Sequence, residues 1–470
     1  MNKLVASIRE AIALSGLKDG MTVSFHHHLR NGDFVLNMVM EEIANLGIKD
    51  IFVNASSLFD AHMPLQTHIE NGVVTGISAD YISAGLGKAI SRGIMKNPVE
   101  FRTHGGRPRD ISLGVTPIDV AFIAAPTADP MGNCSGKYGK SACGSLGYAY
   151  ADAMFAKKVV VITDNLVSYP LQDWSISEDY VDFVVTVDAI GNPKGIVSGT
   201  TQITRDPVGL VMAAHAAKVI EASGLLKDGF SFQTGAGGAS LAAAKFLKDI
   251  MVRDGIQGSF GLGGITGYMV DMLQAGCFQR LMDVQCFDLK AVESIRTDPR
   301  HQEISAMHYA SPASKSAVVD SLDVVILGAT EIDTDFNVNV HTDSNGYIMG
   351  GSGGHSDTAA GAKLSMIIAP MFRARLPIVT DHVTCISTPG KDIDVLVTQG
   401  GIAVNPKNEE LTYRLKHAGL PVIDIHDLKA KAESITGTPV KPPKGERAVA
   451  KVIGRNGKLQ DVIYNVKENG

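Results

Sequence analysis

Short apolar runs recur along the whole chain, and their pattern predicts buried parallel strands. The clearest are Asp119–Ala125, Lys158–Thr163, Phe183–Val187, Asp323–Gly328, Leu364–Ala369 and Asp394–Thr398. They are rich in Val and Ile and lack strict alternation, which is typical of strands covered on both faces. Helical patterns such as Leu241–Met251 and Tyr268–Ala275 lie between many of them. This alternation predicts an α/β fold with mostly parallel sheets.

Several sequence segments occur twice along the chain, in the same order and at nearly constant spacing. Ser15–Met21 returns as Ser223–Phe230, Ile118–Ala125 as Leu322–Ala329, and Val181–Pro193 as Ile393–Pro406. A repeat of this length indicates two copies of a domain, because solenoids repeat over much shorter periods. We therefore predict an N-terminal domain at residues 1–222 and a related C-terminal domain at residues 223–470.

Composition and charge narrow the class of protein. A hydrophobic share of 45% and a charged share of 20% are typical of soluble globular proteins. The net charge of −6 gives no global support for nucleic-acid or membrane partners, and no apolar run approaches the roughly 20 residues that span a membrane. Five scattered cysteines without a CxxC pair indicate neither a disulfide framework nor a zinc site. We expect a reduced, cytoplasmic protein.

The two copies differ at a position that can carry chemistry. Thr127 follows the repeated strand of the first copy, whereas Glu331 stands at the matching position of the second. A carboxylate at a strand end beside glycine-rich loops can act as a nucleophile or a general base. The alternative is a solvated surface glutamate.

Two glycine-rich segments predict close approach of a ligand to the backbone. Gly350–Asp357 (GGSGGHSD) could present N–H donors to an oxyanion, or could be a flexible surface loop. Thr234–Ser240 (TGAGGAS) follows a predicted strand and opens a helix, which suits a pyrophosphate-like anion, although a structural turn remains open. It is not a dinucleotide fingerprint, because Ser240 stands where GxGxxG requires glycine.

The segment Phe25–Asp33 (FHHHLRNGD) contains three consecutive histidines. His26 and His28 would share one face of an extended segment. We expect hydrogen bonding in a loop or cleft by these histidines and Asn31. A metal site is less favoured, because no further His or Cys follows at ligand spacing.

A second basic segment, Arg102–Arg109 (RTHGGRPR), combines His104 and Arg107 with glycine. Arginine forks bind carboxylates through paired hydrogen bonds. Because the protein as a whole is acidic, this basic loop is a candidate binding site for a polycarboxylate. A solvated basic turn is the alternative.

Taken together, these segments resemble the citrate lyase alpha chain family, within the wider CoA-transferase superfamily. The similar stretches include GMTVSFHHHLRNGD, THGGRPRDI, FSFQTGAGGASLAAAKFL, GSFGLGGITGYMVDML, ATEIDTDFNVNV and SNGYIMGGSGGHSDTAAGA, and they span nearly the whole chain. The resemblance implies two tandem CoA-transferase domains, Rossmann-like with mostly parallel sheets, and an active site between them. Family members often begin with an additional segment upstream of the position of Met1.

The resemblance also implies the reaction. A citrate CoA-transferase exchanges acetyl for citryl on the CoA-like prosthetic group of an acyl carrier protein, or on acetyl-CoA, and releases acetate. The partners would be the gamma (acyl carrier) subunit and the beta (lyase) subunit, which splits the citryl thioester into oxaloacetate and an acetyl thioester. No tightly bound cofactor and no metal are expected. The alternatives are a transferase or hydrolase for another acyl-CoA, and a non-catalytic ligand-sensing protein.

The residues that match the family pattern acquire roles by resemblance. Glu331 would attack the thioester or, if citrate reacts directly, orient the substrate, and Gly353 and Gly354 would lie near the thioester oxygen. The set expected to contact the CoA moiety is Gly235, Ala236, Gly237, Gly238, Ala239 and Gly350. The set expected to bind citrate is His26, His28, Asn31, His104 and Arg107.

Overall fold

Two large, mostly parallel sheets organise the chain, which confirms the predicted α/β class. The computed structural model describes residues 2–197 and 202–467, so Met1 and residues 468–470, the outer ends of the predicted domains, lie outside the described residues. The ten strands of the first sheet lie in the order Leu4–Val5, Phe183–Thr186, Lys158–Thr163, Val120–Ala125, Thr22–Phe25, Ile51–Ala55, Val74–Ala79, Val99–Phe101, Lys444–Ile453 and Leu459–Val466. The eight strands of the second lie in the order His301–Glu303, Phe278–Cys286, Gly258–Ile265, Ser231–Thr234, Val324–Leu327, Leu364–Ile368, Val395–Thr398 and Gly401–Val404.

Helices and short strand pairs connect these strands. The α-helices are Ile8–Ser15, Val35–Asn45, Leu65–Glu70, Ala84–Ser91, Gly106–Ser112, Ala149–Phe155, Pro207–Ala222, Gly238–Asp254, Gly267–Gln274, Leu289–Thr297, Ala306–Ala310, His355–Gly361, Glu409–His417 and Ile425–Thr436. Short 3-10 turns span Arg30–Gly32, Asp60–His62, Glu178–Tyr180, Pro193–Ile196, Val318–Ser321 and Gly390–Asp392. The small sheets comprise Thr127–Ala128 with Cys134–Ser135, Phe372–Arg373 with Leu376–Pro377, and Glu331–Asp333 between Val338–Asn339 and Val379–Thr380.

Seven strands of the first sheet and seven of the second follow the same order. The strand that opens each copy, Thr22–Phe25 or Ser231–Thr234, pairs in parallel with the repeated strand, Val120–Ala125 or Val324–Leu327. The chain order of the neighbouring strands reverses between these two, so this is the switch point of a doubly wound sheet. Ligands of such sheets bind at the carboxyl ends of the strands there.

Two elements cross the predicted division at residue 222. Helix Pro207–Ala222 packs against helix Gly238–Asp254 of the second copy. The C-terminal hairpin joins the first sheet, because Lys444–Ile453 pairs in parallel with Val99–Phe101. The boundary at residue 222 stays a prediction, but the last strands are bonded to the sheet of the first copy. Below, "first half" means residues 2–197 and "second half" means residues 223–443.

The core lies around the central strands of both sheets. Every residue of Val120–Ala125 and of Val324–Leu327 is buried, as their unbroken apolar runs predict. Within the described ranges, no helix combines the length and the apolar character needed to cross a bilayer.

Candidate functional site

Loops at the carboxyl ends of strands from the two halves meet at one junction. The backbone N–H of His104 donates to the Gly353 carbonyl oxygen at 2.8 Å, and Thr103 bridges Gly353 in parallel. The Asp357 carboxylate accepts hydrogen bonds from the Thr103 hydroxyl at 2.8 Å and from the Gly105 N–H at 2.9 Å. Two segments that the sequence singled out separately, RTHGGRPR and GGSGGHSD, are therefore in direct contact.

The glycines of the second segment are required by this close packing. A Cβ added to Gly354 would lie 2.5 Å from the Tyr309 hydroxyl oxygen, and one added to Gly350 would lie 2.4 Å from the Val340 carbonyl oxygen. Gly353 has a φ of +50° and would place a Cβ 3.2 Å from the His104 Nε2. Since both halves hold the segment, a flexible surface loop is the wrong description of it.

Rings from both halves line this junction. The His104 ring lies 4.4 Å from the Tyr148 ring, and the Tyr148 ring lies 4.7 Å from the His27 ring. Phe59 and Phe287 flank the Arg30 guanidinium, whose Cζ lies 5.2 Å and 4.9 Å from their ring centres. We define the junction cluster as His27, Arg30, Phe59, Tyr81, His104, Tyr148 and Phe287.

His104 has the setting of an oriented acid–base group. Its Nδ1 bonds to the buried Asp80 carboxylate at 2.9 Å, which leaves Nε2 directed at Gly353. The Asp80 backbone carbonyl accepts from the Gly353 N–H at 3.1 Å, so the same residue holds both the ring and the loop. Burial raises the pKa of Asp80, while its bond to His104 opposes that rise. A carboxylate on Nδ1 fixes the tautomer and orientation of such an imidazole.

His26 and His28 do share a face, as predicted, but they bond to protein. Their Nδ1 atoms lie 2.6 Å apart, and the His26 Nε2 accepts from the Ala124 N–H at 2.9 Å. His28 is fully buried and bonds to the backbone of Val284 in the second half. Burial lowers the pKa of His26 to about 4 and that of His28 well below its usual value. This neutral pair connects the halves and adds no positive charge to the junction; direct citrate binding by it stays a prediction.

Arg107 also differs from its prediction. It is 1% exposed, and its guanidinium pairs with Asp152 at 2.6 Å and donates to the Asn54 side-chain oxygen at 2.8 Å. Burial raises the pKa of Asp152, and the Arg107 charge counters that rise. Arg107 is therefore a buried structural cation and does not present its fork to a ligand. Asn31, which was also predicted to bind citrate, is exposed and lies in the turn Arg30–Gly32.

Glu331 lies in strand Glu331–Asp333 and is fully buried. One carboxylate oxygen accepts from the Thr384 N–H at 2.7 Å and from the Asn339 amide at 3.1 Å, and the other lies 3.3 Å from the Lys441 Nζ. Burial alone would raise the pKa of Glu331, but Lys441 and these hydrogen bonds outweigh it and hold the pKa below its usual value. The group is an ionised carboxylate, and Lys441 lies beside it.

The predicted CoA loop, Gly235 to Ala239, is partly exposed and leads into helix Gly238–Asp254. Gly237 caps this helix without a side-chain hydrogen bond. The Gly238 carbonyl oxygen accepts from the Thr204 N–H at 3.1 Å. Free N–H groups at a helix start suit an anion, so the loop keeps the geometry that the sequence predicted, and its role stays a prediction.

One group of side chains in the described ranges brings potential metal ligands together: Asp283, Cys286 and His301. The Asp283 carboxylate bonds to the His301 Nε2 and to the Cys286 thiol, each at 3.0 Å. Burial raises the pKa of Cys286 well above its usual value, so a protonated thiol that donates to Asp283 explains the contact. None of the predicted histidines belongs to this group.

Sequence reasoning missed Arg30 and Tyr309. Arg30 lies inside FHHHLRNGD, where the histidines and Asn31 were assigned roles and Arg30 was not. Its positive φ of 51° is visible only in the structure. Tyr309 was not considered, although its hydroxyl bonds to the Gln233 amide at 2.9 Å beside Gly354. The LRNG turn next to a predicted strand end could have pointed to Arg30.

The comparisons with known proteins agree along the whole chain. A family model described as "Citrate lyase, alpha subunit (CitF)" matches residues 1–466. The citrate lyase alpha chain of Klebsiella pneumoniae is 50% identical over 467 residues, which cover 99% of this chain and 92% of the relative. The alpha chain of Escherichia coli K12 is 49% identical over 466 residues, with 99% and 91% covered.

Solved structures give the same result. The citrate lyase alpha subunit of Streptococcus mutans, solved in complex with citrate, superposes with a TM-score of 0.98 at 50% identity, and the match covers 100% of this chain and 92% of that one. A Pseudomonas malonate decarboxylase hetero-tetramer, solved with malonate, has a TM-score of 0.70 at 16% identity over 94% of this chain and 95% of that one, which shows the fold alone. On the full-length family match and this identity, the chain belongs to the citrate lyase alpha subunit family.

Proposed function

We propose that this protein transfers the acyl-carrying thiol from acetate to citrate. A citrate carboxylate oxygen attacks the acetyl thioester carbon, the C–S bond breaks, and the released thiolate then attacks the citryl carbonyl of the mixed anhydride. Acetate leaves, and a citryl thioester remains. The observation that carries the proposal is the family match over residues 1–466. The thiol would belong to acetyl-CoA or to the CoA-like prosthetic group of an acyl carrier protein, with no tightly bound cofactor.

The junction between the halves suits this chemistry. Reaction of two anionic partners requires that they be held together away from water, and positioning of this kind can supply roughly 7–11 kcal/mol. The Gly353–Gly354 backbone and His104 lie side by side there. Because the Gly353 N–H already donates to the Asp80 carbonyl oxygen, the donors that can face one thioester oxygen are the Gly354 N–H and the oriented imidazole. The Gly235 to Ala239 loop would hold the CoA diphosphate.

We assign Glu331 an orienting role. Its carboxylate is fully buried. One oxygen accepts from Thr384 and Asn339, and the other has no hydrogen bond and lies 3.3 Å from the Lys441 Nζ, so the group is shielded from solvent and held in place. Glu331→Gln should remove most transfer activity, because the amide loses the negative charge and the ion pair with Lys441, although its oxygen can still accept from Thr384 and Asn339. Hydroxylamine or borohydride treatment of the enzyme with acetyl-CoA should trap no Glu331 adduct. A trapped adduct would show covalent attack instead.

Membership of the family places the chain in a multi-subunit citrate lyase. We propose that its product passes to a beta subunit that cleaves the citryl thioester, and that a gamma subunit carries the thiol. The cytoplasmic location inferred from the sequence stays a prediction.

The decisive experiment mixes the isolated protein with acetyl-CoA and citrate and follows acetate and citryl-CoA together. Both should form at equal rates. Acetate without citrate would favour a hydrolase, and transfer to another acid in place of citrate would favour a different transferase. Absence of acetate release under every condition would leave the ligand-sensing alternative.

A further inference from the structure

Arg30 carries a partly buried charge that the described residues do not neutralise. Its guanidinium lies between the Phe59 ring of the first half and the Phe287 ring of the second. The Nη1 atom is buried and has no hydrogen-bond partner. Among residues 2–197 and 202–467, no carboxylate contributes to its electrostatic environment, which is set by burial, Tyr81 and Tyr148.

Two neighbouring arginines show what a structural arginine looks like here. Arg107 pairs with Asp152 at 2.6 Å, and Arg102 pairs with Asp110 at 2.8 Å. Each of them is buried and has a dedicated acid in the same half of the chain. Arg30 differs from both, because aromatic faces surround it where an acid would be expected.

The fold holds Arg30 in place against two unfavourable terms. A buried charge without a partner is destabilising, and contacts with two aromatic faces offset only part of that cost. Its φ of 51° is in the left-handed region, which non-glycine residues rarely adopt. Backbone strain of this kind concentrates where ligands are held, and here it directs a cation into the junction.

The surroundings favour one negative charge. Burial lowers the pKa of His27 and of His28 well below the usual value and that of His26 to about 4, so these rings are neutral near pH 7. Burial also raises the pKa of Tyr81, so its hydroxyl stays protonated. The planar donors of one guanidinium match one carboxylate or one phosphate group. Because the CoA diphosphate is expected at the Gly235 to Ala239 loop, the acid substrate is the anion left for Arg30.

We propose that Arg30 binds a carboxylate of the acid substrate at the junction between the halves and so determines selectivity for citrate. The inference rests on the proposed transfer reaction, because it assigns the acid that accepts the thioester. Arg30 is linked to the reacting region through Tyr148, whose ring lies 4.4 Å from the His104 ring beside Gly353. Arg30 thus takes the role that the sequence assigned to Arg107.

The test compares Arg30→Gln, Arg30→Lys and a surface control, Arg253→Gln, whose partners are Glu221 and Asp254. Arg30→Gln should raise the KM for citrate on the order of 100-fold, as loss of a charged hydrogen-bond partner does, while the KM for acetyl-CoA changes less than about threefold. Arg30→Lys keeps the charge but loses the planar fork, so its citrate KM should lie between those of wild type and Arg30→Gln.

Thermal shift provides a readout that does not depend on turnover. Citrate should raise the Tm of wild type and of Arg253→Gln, but not that of Arg30→Gln. Without citrate, Arg30→Gln should melt at the wild-type temperature or above, because an unpaired and partly buried charge has been removed.

The outcomes are separable. If Arg30→Gln raises the KM values for citrate and acetyl-CoA equally, or raises only the KM for acetyl-CoA, the assignment is overturned and Arg30 binds a phosphate of CoA instead. If Arg30→Gln fails to fold, an unchanged citrate KM in Arg30→Lys would overturn it. If wild type forms no citryl-CoA yet citrate stabilises wild type and not Arg30→Gln, the transfer reaction fails and the Arg30 site stands. If Arg30→Gln forms citryl-CoA with a wild-type citrate KM, the transfer reaction stands and the Arg30 site is ruled out.

Discussion

The Asp357 carboxylate of the second half accepts a 2.9 Å hydrogen bond from the Gly105 backbone N–H of the first half. Thr103 donates to its other oxygen, and the Arg455 Nε of the C-terminal hairpin lies 3.6 Å from it. One fully buried side chain therefore joins three separate parts of the chain. Asp357 lies in the first turn of helix His355–Gly361, directly after the glycines of the candidate site, so its bonds also hold the start of that helix in place.

We expect Asp357→Asn to weaken the junction by about 1–3 kcal/mol, because an amide nitrogen would face a donor that now has an acceptor. The measurement is the Tm in thermal unfolding, which should fall. Asp320→Asn is the matched control, because this exposed acid also contacts Arg455, at 3.2 Å, and should stay within about 0.5 kcal/mol of wild type. Equal losses in the two variants would count against a junction role for Asp357.

The same residue predicts a pH dependence. Burial raises the pKa of Asp357 from 3.8 to about 6, so the folded protein holds a proton that the unfolded chain releases. The resulting stabilisation is complete below the unfolded pKa and is lost as the pH rises through about 6. The Tm of wild type minus that of Asp357→Asn should therefore shrink between about pH 4 and pH 6 and then level off. A difference that grows with pH would mean that the carboxyl pKa is lowered instead.

Lys441 should control the acid limb of activity through Glu331. Its Nζ lies 3.3 Å from the Glu331 carboxylate and favours the ionised form. Lys441→Met should raise the pKa of Glu331, so that transfer activity is lost at a higher pH on acidification than in wild type. Lys444→Met is the control, because that lysine bonds to the Thr384 carbonyl oxygen and not to Glu331. Identical pH profiles for the three proteins would remove Lys441 from this role.

Arg107 should prove structural. Arg107→Met leaves the Asp152 carboxylate buried without its cation, which should cost about 3–5 kcal/mol. The double variant Arg107→Met, Asp152→Leu removes both charges and should be more stable than the single variant. Urea unfolding measures both, and the citrate KM of the folded variants tests for a direct role. A single variant of wild-type stability with a much higher citrate KM would restore Arg107 to the citrate site.

Local patterns in the sequence predicted the sheets and the loops at their ends. Unbroken Val- and Ile-rich runs become central strands because burial on both faces leaves no polar position in them. Segment GGSGGHSD could be singled out because so many glycines are unfavourable unless the backbone must be approached closely. At the position matching Glu331, Thr127 occupies an equivalent small strand, as the alignment of the two copies predicts.

Partners distant in sequence could not be predicted. The assignment of Arg107 to citrate could not take account of Asp152, which pairs with it and lies 45 residues away on another helix. Arg30 was overlooked for the complementary reason, since its lack of an acid and its two aromatic faces exist only when Phe59 and Phe287 come together. Whether an arginine is paired is decided by tertiary packing, whereas its presence in a loop is visible in the sequence.

The packing of Gly354 on Tyr309 provides a test of the glycine loop itself. A Cβ at residue 354 would lie 2.5 Å from the Tyr309 hydroxyl oxygen, which accepts a buried hydrogen bond from the Gln233 amide. Gly354→Ala should therefore displace that ring, lower stability by about 1–3 kcal/mol, and reduce transfer activity by moving the Gly353–Gly354 backbone.

Tyr309→Phe removes the oxygen that obstructs the new methyl group. The double variant Gly354→Ala, Tyr309→Phe should recover part of the Tm lost in Gly354→Ala, although the ring carbons at 3.3 Å still limit the fit. Tyr309→Phe alone gives the cost of the lost Gln233 bond and completes a double-mutant cycle. Simple additivity in that cycle would mean that the glycine is required for a reason other than this contact. A favourable coupling accompanied by recovered activity would show that the backbone must lie this close to Tyr309 for the junction to work.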